Sequence, residues 1–235
     1  MADALRALGA TPILAPAIEL APPDDPAAAA QAVHSARTFS WIVFTSANGV
    51  RVFFDMLDER REDARALGDA KVAAIGLQTS AALRSRGVYA DLVPQTYIAE
   101  HLADALLAAS KPGDRFLIYR AAQARDVLPE ALRANGRDVV VAAAYKTVYT
   151  SDPDFAAKVA RSGVLTFTSS STVRGFVHNL GGEAEAARAA HGKIVACIGP
   201  VTAQEARAAG IPVDIVAHDY TAHGLVQALE RLVSA

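Results

Sequence analysis

The sequence contains a single cysteine, one tryptophan and two methionines among its 235 residues. With one thiol, no disulfide can form within the chain, and a lone thiol fits a reducing compartment. Cys197 lies in the apolar run IVACI, which predicts a buried strand residue. We therefore expect a cytoplasmic protein.

Long apolar runs and an excess of charge of one sign are also missing. No run approaches the roughly 20 apolar residues that span a bilayer. The formal net charge is −2, so the electrostatic footprint of a nucleic-acid-binding protein is not found. The stretch LRALGATPILAPA lacks the charged start and the sustained apolar centre of a secretory signal. We expect neither a membrane nor a nucleic acid as partner.

The motifs of several common chemistries are missing as well. Neither G-x-G-x-x-G nor G-x-x-x-x-G-K occurs, which weakens a nucleotide-binding interpretation. His218 and His223 are the only histidines near a metal-ligand spacing; no cysteine lies close to them, so we expect both at the surface. No Ser-His-Asp arrangement is visible. The sequence predicts no metal site and no cofactor, and no nucleophile with its base.

What the chain does contain is an internal repeat. Residues 44–54 (FTSANGVRVFF) match residues 167–177 (FTSSSTVRGFV) at 6 of 11 positions when the sequence is shifted by 123 residues. At the same shift, residues 73–106 match residues 196–229 at 13 of 34 positions without a gap. Four pairs fall in register: Gly76 with Gly199, Thr79 with Thr202, Gly87 with Gly210, and Tyr97 with Tyr220. The chain therefore holds two copies of one unit.

A further match shows how the two copies are connected. Residues 131–144 (ALRANGRDVVVAAA) match residues 4–17 (ALRALGATPILAPA) at a shift of 127, so this piece ends one copy and precedes the other. We therefore expect a split domain with an inserted domain inside it. The predicted boundaries are 1–18 plus 149–235 for the split domain and 22–144 for the inserted domain, with connectors near 16–23 and 144–150.

Short strand-like runs alternate with helical stretches in both copies. The first copy contains WIVFT, KVAAI, ADLV, RFLIY and DVVVAAA, with helices near 48–58, 78–86, 98–110 and 125–134. The second contains GVLTFT, KIVACI and VDIV, and PILAPA near the N-terminus is predicted as a strand. Strand followed by helix at this spacing indicates parallel sheets covered on both faces. We predict an α/β fold of two three-layer α/β/α domains with parallel sheets, one inserted in the other, joined by a two-stranded connector.

Helix ends can be predicted from glycines and capping residues. Four helices are expected to end at a glycine before a strand: Gly9, Gly87, Gly136 and Gly210. The candidate N-caps are Asn48, Ser171 or Thr172, and Thr79 or Thr202.

The split domain lacks one strand by comparison with the inserted domain. In the inserted domain RFLIY (115–119) comes before the helix of ALRANG, whereas in the split domain the matching helix begins at about Met1. The strand before that helix is commonly central in such sheets. Without it, buried ladder groups would stay unpaired at ~1–3 kcal/mol each. We expect an in-frame upstream segment with a short Val/Leu/Ile-rich run and a polar turn; the alternative is a domain that has shed a strand.

Taken in order, several motifs carry a resemblance that covers essentially the whole chain. FTSANGV, IGLQTSAAL, AYKTV, TFTSSSTV and IGPVTAQEARAAGI resemble the uroporphyrinogen-III synthase family. The resemblance implies two α/β domains with a cleft between them that binds a linear tetrapyrrole. It implies a lyase of haem biosynthesis that cyclises hydroxymethylbilane, with inversion of the last pyrrole ring, to uroporphyrinogen III and water. The sequence departs from the family in the missing N-terminal strand.

Hydroxyl and amide side chains follow the strands of both copies, where parallel α/β domains bind ligands. The candidate substrate-binding residues here are Thr45, Ser46, Asn48, Thr79, Ser169, Ser170, Ser171 and Thr202. Helix N-termini favour carboxylates, and the substrate implied by the resemblance is a polycarboxylate. Any one of these residues alone is better explained as a helix cap, but the set, which occurs twice in register, favours a binding site.

Three further residues are candidates, one in the second connector (144–150) and two after RFLIY. Tyr145 lies in AYKTV, where the resemblance implies a catalytic tyrosine whose phenol hydrogen-bonds the departing hydroxyl or a propionate; a half-buried strand tyrosine is the alternative. Arg120 and Arg125 can pair with carboxylates, the alternative being a solvated loop and helix start. Lys146 is an additional candidate.

Two functions remain open at this level. The first is a cofactor-independent cyclase that works by positioning its substrate hydroxymethylbilane in a closing cleft. The second is a non-catalytic two-domain cytosolic binding module for a polyanionic small molecule. We expect a monomer in either case.

Overall fold

The computed structural model describes residues 1–233, and the chain divides into two compact units. The split unit comprises Met1–Glu19 together with the described residues from Val148 onwards, and the inserted unit comprises Leu20–Thr147.

The elements follow one another as an alternation of strands and helices. Up to the end of the inserted unit they are α1 (Ala2–Ala7), β1 (Ile18–Ala21), α2 (Pro26–His34), β2 (Trp41–Phe44), α3 (Ala47–Glu59), β3 (Lys71–Ala74), α4 (Leu77–Ser85), α5 (Ala99–Ala109), β4 (Arg115–Ala121), α6 (Val127–Ala134) and β5 (Asp138–Tyr149). The remaining elements are α7 (Phe155–Ala160), β6 (Val164–Phe167), α8 (Ser170–Leu180), α9 (Glu183–Ala190), β7 (Ile194–Cys197), α10 (Pro200–Ala208), β8 (Ile215–Val216) and α11 (Ala222–Val233).

A five-stranded sheet with the order β1-β5-β4-β2-β3 forms the centre of the inserted unit. Strand β2 pairs in parallel with β4 on one side and with β3 on the other. All four of its residues, WIVF, are buried, as expected for a strand covered on both faces.

Side chains of β2 alternate between two cores. Ile42 and Phe44 belong to a cluster with buried residues of α2, α3 and α4. Trp41 and Val43 belong to a separate cluster with residues of α5 and α6. Because successive strand side chains point to opposite faces, one four-residue strand serves both helix layers. The predicted three-layer α/β class with parallel sheets is confirmed.

The split unit contains a three-stranded parallel sheet with the order β6-β7-β8. On one face Phe155, Leu165, Phe167 and Phe176 pack together with residues of α9 and α10. On the other face a smaller cluster joins β7 to α11 and includes Leu225.

Three predicted strands differ in the structure. ADLV makes only an isolated bridge between Ala73 and Leu92, and VDIV forms the two-residue β8. The reason is the same in both copies. The carboxylates of Asp91 and Asp214 accept hydrogen bonds from the N–H groups of Val72 and Val195, and these N–H groups would otherwise bond to the carbonyls of a longer neighbouring strand.

Helices α2, α7 and α9 were not predicted.

The prediction of a strand in PILAPA is also wrong. Residues 11–17 adopt no regular secondary structure, and the strand begins at Ile18. Pro12 and Pro16 have no N–H to donate to a ladder, which explains why the counterpart of β5 does not form here.

Helix ends are predicted better than helix starts. Gly9, Gly87, Gly136 and Gly210 have positive φ between 72° and 80°, which confirms their role after the helix C-terminus. The predicted N-caps are wrong because the helices begin earlier. The caps are Ser46, Ser169, Gly76 and Gly199, whereas the predicted Asn48, Ser171, Thr172, Thr79 and Thr202 all lie inside the first helical turn.

Candidate functional site

Each copy has a Thr-Ser pair between a strand and the helix that follows it, Thr45-Ser46 in the inserted unit and Thr168-Ser169 in the split unit. We call this pair the Thr-Ser joint. In the inserted unit, Ser46 Oγ accepts a hydrogen bond from the Gly49 N–H at 3.0 Å. In the split unit, Ser169 Oγ accepts from the Thr172 N–H, and Thr172 Oγ1 accepts from the Ser169 N–H, which closes a capping box. Both serines therefore fix the start of their helix.

The second partner of the cap serine differs between the copies. Ser46 Oγ lies 3.0 Å from the phenol oxygen of Tyr145, across 99 residues of sequence. Ser169 Oγ lies 2.9 Å from Ser171 Oγ, a residue of its own helix. The inserted unit thus brings together two of the predicted site residues, one from the end of β2 and one from β5.

A cavity of about 300 Å³ opens beside this hydroxyl pair, at the carboxyl ends of β2, β3 and β4. Parallel α/β sheets bind their ligands at this edge. Five predicted residues line the cavity: Thr45, Ser46, Arg120, Arg125 and Tyr145. Apolar residues, among them Ile75, Ile118 and Leu128, form most of the remaining wall.

Both predicted arginines are already paired. Arg120 is a buried residue of β4, not part of a solvated loop, and its guanidinium donates to the Arg125 carbonyl and to the Asp126 carboxylate. Arg125 makes two hydrogen bonds to Glu100, at 2.9 and 3.3 Å. Arg120 therefore holds the turn after β4 in place, and a carboxylate ligand would have to compete with Glu100 for Arg125.

The Glu100 carboxyl that pairs with Arg125 beside this cavity has a lowered pKa. A hydrogen bond from its own backbone N–H and the bonds from Arg125 lower the pKa of the Glu100 carboxyl below its ordinary value. The carboxylate is therefore ionised at neutral pH, and its ion pair with Arg125 persists there.

Three of the predicted residues of the inserted unit lie outside the cavity lining. Asn48 is exposed in the first turn of α3, whereas Thr79 is buried in the first turn of α4. Lys146 forms an ion pair with Asp24.

In the split unit, the predicted residues follow β6 and β7. Ser169, Ser170 and Ser171 begin α8, and the Ser170 hydroxyl donates to the Val201 carbonyl at 3.5 Å. Thr202 is buried in the first turn of α10. The serines are therefore placed beside the amides of a helix N-terminus.

The profile of the family described as uroporphyrinogen-III synthase HemD matches residues 1–227. The chain belongs to this family. The porphyrin biosynthesis protein HemD of Ruminiclostridium josui is 34% identical over 186 residues, which cover 77% of this chain and 36% of that protein. The chain thus spans about a third of that relative's length.

A second relative agrees with this membership of the uroporphyrinogen-III synthase family, and a solved structure agrees with the fold. The uroporphyrinogen-III synthase of Synechococcus elongatus is 31% identical over 236 residues, which cover 97% of this chain and 88% of that protein. A mutant uroporphyrinogen III synthase from the extremely thermophilic bacterium Thermus thermophilus has the same fold, with a TM-score of 0.65 at 18% identity, covering 99% of this chain and 92% of that one.

In this member of the uroporphyrinogen-III synthase family, a tyrosine that sequence reasoning missed also lines the cavity. The ring of Tyr97 lies so close to Gly76 that a Cβ there would be 3.0 Å from it. The other copy repeats the contact, with Tyr220 3.3 Å from a Cβ built on Gly199. The signal was available, because both glycines and both tyrosines fall in register in the repeat. The glycines are needed for the close approach of the ring, since their φ values are ordinary extended ones.

No group of three or more metal-ligating side chains occurs within residues 1–233. His218 and His223 are both exposed, as predicted. None of the helices in the described part of the chain is long and apolar enough to cross a bilayer.

Proposed function

We propose that this chain is a uroporphyrinogen-III synthase, a lyase that cyclises hydroxymethylbilane with inversion of the last pyrrole ring and releases water. We further propose that it acts without a cofactor, as a cytoplasmic monomer. The observation that carries the proposal is the hydrogen-bonded pair of Ser46 and Tyr145 beside a cavity at the carboxyl edge of a parallel sheet, in a chain that belongs to this family.

In this proposal Tyr145 is the catalytic residue. Ser46 Oγ already accepts the Gly49 N–H, and it can donate its own hydrogen to the Tyr145 oxygen. The phenol hydrogen is then available to the substrate. A hydrogen bond from the phenol to the departing hydroxyl stabilises it as the carbon–oxygen bond breaks.

The remaining steps need positioning more than acid or base strength. The hydroxyl leaves as water and gives an azafulvene, which the far pyrrole ring attacks through its substituted carbon to form a spiro intermediate. Fragmentation and reclosure then invert that ring, so the only net loss is one water. Apolar walls such as Ile118 and Leu128 exclude bulk water from the reacting carbon.

The substrate's carboxylates are proposed to bind at the first turns of α3, α4, α8 and α10. The first N–H groups of a helix have no partner within the helix and attract anions. Thr45, Ser46, Ser169, Ser170 and Ser171 add hydroxyls at these starts. Thr79 and Thr202 are proposed to contribute their first-turn backbone N–H groups, because their side chains are buried. Asn48 is proposed to contribute its first-turn N–H group as well. Arg120 and Arg125 are proposed to bind one carboxylate, with Arg125 exchanging Glu100 for it.

The product isomer tests the proposal. Hydroxymethylbilane generated enzymatically is added to the chain, and the porphyrins obtained after oxidation are separated into types I and III. We expect type III. Formation of type I alone, at the rate without protein, contradicts the proposal. If the product still binds in that case, the chain is the non-catalytic binding module for a polyanion.

A further inference from the structure

Two aromatic residues of the inserted unit are exposed, Tyr89 at 74% and Tyr97 at 48%. The guanidinium of Arg84 lies over the ring of Tyr89, 5.4 Å from its centroid. Tyr97 instead lines the cavity that also contains the Tyr145 phenol. An exposed aromatic ring in a cavity wall offers apolar area to a ligand, and a flat ligand can stack on it.

The backbone at Gly76 fixes where this ring lies. A Cβ built on Gly76 would be 3.0 Å from Cγ and 3.4 Å from Cδ1 of Tyr97, so a side chain at this position would displace the ring. A tyrosine side chain has only two χ angles, and close contact at its base leaves it little freedom. The ring of Tyr97 is therefore held in place before a ligand binds.

The cavity has room for one ring of a tetrapyrrole. Its volume of about 300 Å³ is at the lower end of the range for sites that enclose a drug-sized ligand. A single pyrrole with its acetate and propionate arms fits such a volume, whereas the whole linear tetrapyrrole does not. The cavity is therefore a site for one part of the proposed substrate.

Three side chains of different chemistry line that space. The Tyr145 phenol can donate to a hydroxyl, the Arg125 guanidinium can bind a carboxylate, and Tyr97 offers an aromatic face. Ile98, the residue after Tyr97, is 42% exposed and adds apolar area to the same wall. This combination matches a pyrrole that carries both a hydroxymethyl group and a carboxylate arm.

We propose that Tyr97 stacks on the pyrrole ring that bears the hydroxymethyl group, and that the cavity of the inserted unit holds this ring alone. The inference rests on the function proposed above. It adds a residue that contacts the substrate and assigns one ring of the substrate to one unit of the protein.

The stacking also favours the first chemical step. As the carbon–oxygen bond breaks, its electron pair leaves with the oxygen, and the pyrrole nitrogen supplies electrons to the exocyclic carbon. The ring is a cation until it loses its N–H proton, and this proton and the hydroxide together form the released water. The face of a tyrosine ring attracts a cation. Tyr97 therefore binds the ring more tightly once the hydroxyl has left than before.

A series of substitutions at position 97 tests this role. Tyr97→Phe keeps the aromatic face and should retain most of the rate of type III formation. Tyr97→Leu should lower kcat/KM about 10-fold, mainly through kcat, because the interaction is strongest with the cation. Tyr89→Leu is the matched control: it removes the other exposed ring of the same unit, which does not line the cavity, and should leave the rate unchanged.

Equal kcat/KM for Tyr97→Leu and the wild type, or equal losses for Tyr97→Leu and Tyr97→Phe, would overturn the inference. Type III product from the wild type would leave the proposed function standing in either case. If the wild type forms type I alone, it is the proposed function that fails.

Displacing the ring without removing it gives a second test. Gly76→Ala should lower the rate of type III formation in the wild-type background, because the new Cβ pushes the Tyr97 ring away. In the Tyr97→Leu background it should have little further effect. The same loss in both backgrounds would contradict a role for the position of the ring.

A measurement without turnover uses one pyrrole as the probe. A pyrrole with an acetate, a propionate and an aminomethyl arm is added to the full chain, and its ring-proton resonance is followed by NMR. Stacking on Tyr97 should shift this resonance upfield with the wild type and with Tyr89→Leu, and not with Tyr97→Leu. No upfield shift with the wild type, or the same shift with Tyr97→Leu, overturns the inference whether or not the chain forms type III.

Discussion

The two copies of the Thr-Ser joint have the same shape and different neighbours. In each, a serine caps a helix that starts just after a parallel strand. Ser46 then contacts a tyrosine from another strand, whereas Ser169 contacts Ser171 in the first turn of its own helix. The cap requires only a hydroxyl at one backbone position, so the joint can be kept while its second hydrogen bond changes. The hydrogen bond to a tyrosine, on which the proposed catalysis depends, therefore belongs to the inserted unit alone. The helix-capping serine is common to both copies.

The helix that follows the joint shows a second difference between the copies. Gly175 in α8 stands where α3 has Val52. A Cβ on Gly175 would lie 2.3 Å from the carbonyl oxygen of Ala17, so only glycine allows this approach. We expect Gly175→Ala to lower the free energy of unfolding by about 3 kcal/mol, the upper end of overpacking effects, in urea titrations.

The matched change in the other copy is Val52→Ala. Val52 is half-buried against the core, so its truncation should cost about 1 kcal/mol. A loss for Gly175→Ala no greater than that for Val52→Ala would mean that residues 17 and 18 move away freely.

The tyrosine contact is tested by Tyr145→Phe. Removal of the phenol hydroxyl should lower the rate of type III formation about 10- to 100-fold, with a change in unfolding free energy below about 1 kcal/mol. Tyr149→Phe, on the same strand, is the control, because Tyr149 packs on His178 and does not line the cavity. Equal rates for the two variants would remove the proposed role of Tyr145.

Serine truncations separate capping from chemistry. Ser46→Ala and Ser169→Ala should each cost about 1 kcal/mol of stability, as lost N-caps do. Only Ser46 should be coupled to the tyrosine: in the Tyr145→Phe background, Ser46→Ala should have little further effect on the rate, whereas Ser169→Ala should keep its full effect. Additive losses for Ser46 and Tyr145 would show that their hydrogen bond does not matter to the reaction.

The last prediction concerns β7, whose residue Cys197 is the counterpart of Ala74 in the repeat. Burial raises the pKa of the Cys197 thiol from 9.0 to about 11. The folded state therefore keeps this proton over a pH range in which the unfolded state loses it, and stability falls as pH rises from about 9 to 11. Between pH 8 and 10 the wild type should lose roughly 1 kcal/mol more than Cys197→Ala. Parallel pH profiles of the two proteins would contradict this.

The sequence predicted the elements whose signals are local or repeated. Buried strands such as WIVF and the glycines after helices are recognisable in short windows, and the repeat located both joints. The cap positions were missed by two or three residues. At Ser169–Thr172 several hydroxyl residues in a row can each act as the cap, and α4 and α10 are capped by glycines without a side-chain acceptor.

Long-range partners could not be predicted in the same way. The contact of Ser46 with Tyr145 depends on which strands are neighbours at one sheet edge, and the pairing of Arg125 with Glu100 depends on how α5 approaches the turn after β4. Residues 11–17 form no strand because Pro12 and Pro16 lack a backbone N–H. The prediction gave more weight to the apolar pattern of this stretch than to its two prolines.

The position of the single tryptophan provides a spectroscopic probe of one unit. Trp41 is stacked on Phe116, with 6.1 Å between ring centroids, and the ammonium of Lys71 lies 5.4 Å from its ring. Its emission therefore changes when the core of the inserted unit opens, and the split unit contributes no indole signal of its own. Tryptophan fluorescence thus follows the inserted unit, whereas circular dichroism on the same denaturation series follows the secondary structure of both units. For Gly175→Ala, a transition that shifts in ellipticity and not in emission identifies two independent unfolding steps, and a common shift identifies a single cooperative one.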